Sequence, residues 1–236
     1  MMKKAIVFAL MLLQAFVLVA QEDEPHFLLP PKKLQVGGFG GVITEFSAFK
    51  GRFAVFTGGG GAILINRCFF LGAYGSGLAS EMTFPDIYPF DHNPVSNPKL
   101  PLYENLTYTF SHGGLWTGYS FEANRVFHMG MSFRVGGGEV SLVDPNRADR
   151  YQFALAKDNI VVIQPEVNIE VNVVRWLRIR GGAGYRFVGS LDNLSYTAFD
   201  GSNRNFYTTS DFNSPYANVA FLFGSFGAKK PKTIIN

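Results

Sequence analysis

The chain has a single cysteine, Cys68, so no internal disulfide can form and something other than a bridge must hold the fold together. Charge is scarce as well. Asp, Glu, Lys and Arg make up 17% of the residues, against roughly 25% in an ordinary soluble domain. Beyond Ala20 no uninterrupted run of about 18 apolar residues occurs, which excludes a transmembrane helix there. Nor is there a strong excess of one sign. The formal net charge of +3 falls to +1 if Lys3 and Lys4 leave with the N-terminal segment, so nucleic acid is not an expected partner.

That N-terminal segment reads "MMKKAIVFALMLLQAFVLVAQEDE": two lysines, an apolar stretch, then an abrupt acidic turn. The apolar part, Ala5 to Ala20, falls short of the roughly 20 residues of a membrane span, so the segment is expected to be a secretory signal peptide over 1–20, cut before Gln21. The chain is also rich in aromatics (15%, with 24 Phe) and in glycine (26 residues). An exported chain that is aromatic, glycine-rich, poorly charged and without apolar helices has the profile of a transmembrane β-barrel.

Hydrophobic periodicity supports this. Period-two alternation marks eight candidate strands, at about 34–48, 52–65, 68–80, 104–121, 126–142, 159–173, 176–190 and 214–226. In "IQPEVNIEVNV" the residues Ile163, Val167, Ile169, Val171 and Val173 alternate with Gln164, Glu166, Asn168, Glu170 and Asn172. Runs such as "VGGFGG" and "TGGGG" blur the first three strands, and glycines there are expected to mark bulges or places where a bulky inner neighbour needs room. Connector lengths sort by side: tight turns lie at Asn66-Arg67, Ala123-Asn124-Arg125 and Val174-Arg175, while the other side carries the short "FKG" at 49–51 and then long polar stretches at 81–103, 143–158 and 191–213. Short turns on one rim and long loops on the other are the layout of an outer-membrane barrel. The expected fold is therefore an all-β, antiparallel, up-and-down transmembrane β-barrel of eight strands, or ten if the stretch at 81–103 or at 143–158 contributes a hairpin. Its parts would be a periplasmic segment at 21–33, the barrel at 34–226 and a periplasmic tail at 227–236.

In the turns, Asn is suited to positive φ, and Asn66, Arg67, Asn124, Arg125 and Arg175 are expected in the periplasm or among lipid headgroups. Inside the barrel, Glu166 and Glu170 on one strand face Arg178, Arg180 and Arg186 on the next, with Arg134 nearby, which suggests a charge network plugging the interior. Eight strands enclose room for side chains and little more, so a plug fits better than an ion path. The four histidines, at 26, 92, 112 and 128, show no ligand spacing, and His128 points inward, away from any lipid-facing catalytic face. The glycine clusters match no phosphate-binding spacing. In "DGSNRNFYTTSD", Arg204 and Asn205 spoil the start of a calcium loop. No metal, cofactor or catalytic group is expected.

Taken together, these strands and turns resemble the small outer-membrane barrels of the outer membrane protein A transmembrane type over residues 34–226. The signal ending "VLVAQ" resembles those of Bacteroidota. Phe226 resembles the aromatic end of a final strand that assembly machinery recognises. The tail "GAKKPKTIIN" continues past it and carries no peptidoglycan-binding domain, so the resemblance does not imply cell-wall anchoring. It implies a location in the outer membrane and contact with its lipid. The expected role is structural or interactive, as an adhesin or complex subunit working through the three long loops. The alternatives are a narrow channel for ions or small solutes and a lipid-modifying enzyme.

Overall fold

The computed structural model describes residues 34–87, 103–144, 154–192, 194–198 and 201–226. The expected signal peptide, the 21–33 segment, the 227–236 tail and the middles of the long loops lie outside the described residues.

Eight strands close into an antiparallel barrel: β1 Val36–Phe49, β2 Arg52–Ile65, β3 Phe69–Leu78, β4 Thr107–Ser120, β5 Phe127–Val143, β6 Ala156–Val174, β7 Leu177–Gly189 and β10 Ser214–Gly224. Consecutive strands pair around the wall, and β1 returns to β10. The hairpin lies in neither of the loops expected to carry one but in the loop at 191–213, as β8 Ser195–Thr197 with β9 Asn203–Asn205. It pairs only with itself, so the barrel keeps eight strands and not ten.

The alternation seen in the sequence becomes inside and outside. Along β6 every second residue from Ala156 to Glu170 is buried, while Ile163, Val167 and Ile169 between them are exposed. Val167 is 62% exposed and Glu170 is 0% exposed, an inversion of the soluble pattern that only a hydrocarbon surround makes favourable. Closure matters for the same reason. An open sheet edge in lipid would leave N–H and C=O groups without partners, and a closed barrel has no edge.

Two glycines, on β2 and β4, show how the wall makes room for the lumen's aromatics. A Cβ at Gly60 would meet the Trp116 ring at 3.1 Å, and one at Gly118 would meet the Phe70 ring at 2.5 Å. Large aromatics fill the lumen there, and glycine makes the room. The tight turns differ in detail from the expectation. Asn66 and Arg67 both adopt positive φ (51° and 66°), but between β4 and β5 the positive φ falls on Glu122 (49°), not on Asn124. That connection runs from Phe121 to Val126 and is closed by a hydrogen bond from the Arg125 N–H to the Glu122 carbonyl, which places the left-handed residue earlier.

Phe226 also departs from expectation. β10 ends at Gly224, and Phe226 lies beyond it with its ring buried against Phe39. The last outward aromatic of the strand is Phe223.

Candidate functional site

The lumen is the candidate site, and it is built in layers. Nearest the short turns, Glu170 on β6 accepts hydrogen bonds from Ser120 Oγ (2.9 Å), Arg178 Nη1 (2.7 Å) and Arg180 Nε (2.7 Å). His128 Nε2 lies 2.8 Å from the same carboxylate, so that nitrogen carries the proton. The register explains the cluster: Glu170 stands opposite both His128 on β5 and Arg180 on β7. Aromatic faces cover the guanidiniums, with Phe226 4.4 Å from Arg178 and both Phe70 and Trp116 about 5 Å from Arg180.

A second layer centres on Glu45 of β1. Its carboxylate takes Arg134 Nη2 at 3.1 Å, Arg186 Nη1 at 2.8 Å and the Gln164 amide at 3.0 Å. Glu166 adjoins it, accepting from Asn218 Nδ2 (2.6 Å) and Ser132 Oγ (3.1 Å), with Arg134 farther off at 3.4 Å. The six residues expected to form one network thus fall into two groups: Glu170, Arg178 and Arg180 in one, Glu166, Arg134 and Arg186 in the other. Glu166 stands opposite Gly184 and reaches neither Arg178 nor Arg180 in any hydrogen bond or ion pair described.

Glu45 escaped the sequence reading. It is the lone acidic residue of a strand blurred by glycine, and its inward direction shows only through its neighbours Ile43 and Ser47. With Asp158, the buried carboxylates among the described residues number four, as do the buried guanidiniums, those of Arg134, Arg178, Arg180 and Arg186. Such balance is what a low-dielectric interior requires, because an unmatched buried charge is costly.

Above these layers the lumen turns apolar. Phe56, Phe110, Val140, Leu142, Ile160 and Val162 of the barrel wall pack with loop residues, among them Met82, Phe84, Leu106, Phe206 and Phe212. Arg186 marks the boundary: it pairs with Glu45 below, donates Nε to the Phe212 carbonyl (3.2 Å) and lies 4.1 Å from the Phe56 ring. Lys50, in the β1–β2 turn, pins this cork. Its Nζ donates to Tyr108 Oη (2.6 Å) and to the Phe206 carbonyl (2.8 Å), and lies 3.8 Å from Asp211. Burial holds its ammonium below the usual lysine range, partly offset by the Asp211 charge.

At the other rim, Arg67 donates Nε to the Phe226 carbonyl (2.9 Å), and Arg125 makes an exposed ion pair with Glu122 (3.0 Å). Asn66, Asn124 and Arg175 lie in the same set of turns. Phe127 and Trp176, which come after the second and third of these turns, point outward and are exposed. Such residues suit the membrane interface.

A closed eight-stranded antiparallel barrel with an apolar outside and a charge-paired, aromatic inside is an outer-membrane β-barrel, and the outer membrane is its place. Among solved structures, the chain is similar to neisserial surface protein A (6% identity, TM-score 0.48, covering 83% of this chain and 100% of that one). It is similar also to Ail, the attachment invasion locus protein of Yersinia pestis, in complex with the heparin analogue sucrose octasulfate (8% identity, TM-score 0.44, 80% and 97%). The outer membrane protease OmpT from Escherichia coli aligns at 7% identity and a TM-score of 0.34, covering 85% and 98%. No family model and no curated protein matches the sequence.

Proposed function

We propose that this barrel is closed and non-enzymatic, and that its role is structural or interactive, as an adhesin or a subunit of a larger outer-membrane complex. In this reading the three long loops stand outside the cell and the short turns in the periplasm. The signal ending Val17-Leu18-Val19-Ala20-Gln21 supports export in a Gram-negative cell of Bacteroidota type.

The observation that carries the proposal is the cork. A channel needs a wet vestibule, whereas this mouth is packed like a domain core, with Phe49, Phe56, Leu142, Val162 and Phe212 all at 1% exposure or less. Described loop residues such as Met82, Phe84, Phe206 and Phe212 are held in that core, and a preordered binding surface loses less entropy when it binds a partner. The β8–β9 hairpin offers exposed Ser195, Thr197, Asn203, Arg204 and Asn205, a polar face suited to hydrogen-bonding ligands.

Planar bilayer recording tests the closed reading, with no steady conductance expected. Well-resolved openings whose ion selectivity changes in Glu45→Gln would sink it and favour the narrow channel. Altered lipid A or phospholipid in overproducing cells, abolished by His128→Ala, would sink the non-enzymatic part. For the interaction role, cells bearing a chain with 195–205 replaced by a short Gly-Ser turn should lose surface adhesion or complex assembly while the barrel stays folded.

A further inference from the structure

We propose that the outer wall holds one acyl chain of an anionic phospholipid from the periplasmic leaflet, in a groove across β4 to β7. The proposal rests on the orientation that puts the short turns in the periplasm. The groove has a volume of about 740 Å³ and is bordered by Tyr119, Met131, Phe133, Pro165, Val167 and Tyr185. That volume lies in the range of about 300–1,000 Å³ common to small-molecule sites. Its floor is low because the small Ala183 lies among taller outward neighbours such as Val167 and Tyr185.

The register gives the groove a direction. Phe69, Tyr119, Met131, Val167 and Ala183 stand opposite one another in succession across β3 to β7. The row starts beside the β2–β3 turn and climbs the tilted wall toward mid-membrane. It also crosses a break. Between β6 and β7 the pairing is present at Ile163 with Phe187 and again at Glu166 with Gly184, but absent at the two positions between. Pro165 has no N–H to give to Tyr185 there, and among the described barrel pairs no other shows a mid-strand gap of this kind. A cavity meeting a proline in the middle of a membrane strand is a local departure from a regular wall.

Position selects the occupant. Met131, Phe133 and Val167 are exposed within the apolar band, where hydrocarbon is the only solvent. At the foot of the row the rim is basic. The described short turns carry Arg67, Arg125 and Arg175 against Glu122 alone; Arg125 is exposed beside Glu122, while Arg67 donates Nε to the Phe226 carbonyl at the lumen mouth. A chain lying in the groove therefore brings its phosphate to guanidinium groups, which favour phosphate geometry.

Native mass spectrometry of the full chain released in detergent, titrated with phosphatidylglycerol, phosphatidylcholine or lipopolysaccharide, tests this. One phosphatidylglycerol should remain bound per chain, at least about tenfold tighter than phosphatidylcholine. Ala183→Phe fills the floor and should lower that affinity at least about tenfold, while Val42→Phe on β1 leaves it unchanged. The double variant Arg67→Gln with Arg125→Gln keeps the groove and should erase the headgroup preference, which holds the test open should Ala183→Phe fail to fold. Unchanged binding in Ala183→Phe, a phosphatidylglycerol preference that survives loss of both arginines, or preference for lipopolysaccharide would each overturn the site. Orientation is read separately: protease cuts at Arg67 or Arg125 in intact cells would reverse the barrel without emptying the groove.

Discussion

The two halves of the lumen are sealed by opposite means. Toward the short turns, Glu170 and Glu45 each hold two buried guanidiniums; toward the long loops, Phe56, Phe110, Ile160 and Phe212 hold one another. Both fill the space that eight strands enclose, but they fail differently. Apolar packing degrades in proportion to the volume removed. An ion-pair layer fails at once, because removing one member leaves the rest buried and unmatched.

The largest test of that contrast is Glu170→Ala. It strands Arg178 and Arg180 together, and it should cost about 3–5 kcal/mol of unfolding stability, as broken buried pairs do. Urea titration in lipid vesicles, followed by the heat-dependent gel shift, measures it. Val171→Ala next door should cost far less, and equal small losses would mean that the charges are solvated. The isosteric Glu170→Gln should still be costly, whereas replacing Glu170, Arg178 and Arg180 together with Leu and two Met should restore much of the loss.

In the cork the comparable change is small. Ile160→Val trims one methylene from a fully packed site and should cost about 0.5–1.5 kcal/mol in the same titration. A loss as large as that of Glu170→Gln would erase the distinction between the two seals.

The smallest expected effect is a pH dependence at the cork. Burial lowers the Lys50 pKa in the folded chain, so between that lowered value and the ordinary 10.5 the unfolded chain binds more protons. The Lys50 contribution to stability therefore rises with pH across that window and is complete above it. Comparing the wild type with Lys50→Met isolates this rise from the other titrating groups, and parallel stability curves for the two would refute it.

The two seals also differ in how far the sequence exposes them. On β6 and β7, Glu170 and Arg180 are legible because Val, Ile and Leu alternate with Asn, Glu and Arg, and a tight turn at Arg175 fixes the register between them. The cork is not legible. At 160–163 the strand is apolar on both faces, so period two vanishes where Ile160 and Val162 turn inward. Their partners Met82, Phe84, Phe206 and Phe212 come from loops that look polar and meet only in three dimensions. Glu45 lies between these cases: its strand is right, but glycines at 37, 38, 40 and 41 remove the side chains that would have declared its face.

The pairing of β1 with β10 sets Phe39 beside Gly224 and Ser47 beside Tyr216, so the first and last strands form one seam. Every other pairing of the wall joins successive wall strands, β7 and β10 across the β8–β9 loop, and can form earlier, whereas this one spans nearly the whole polypeptide and is slow to find. Until Ser214–Gly224 arrives, the sheet has two bare edges that hydrocarbon cannot satisfy. The strands therefore cannot enter the membrane one at a time as they emerge. The chain must be held unfolded until its last strand is at hand, and insertion and closure are then a single event.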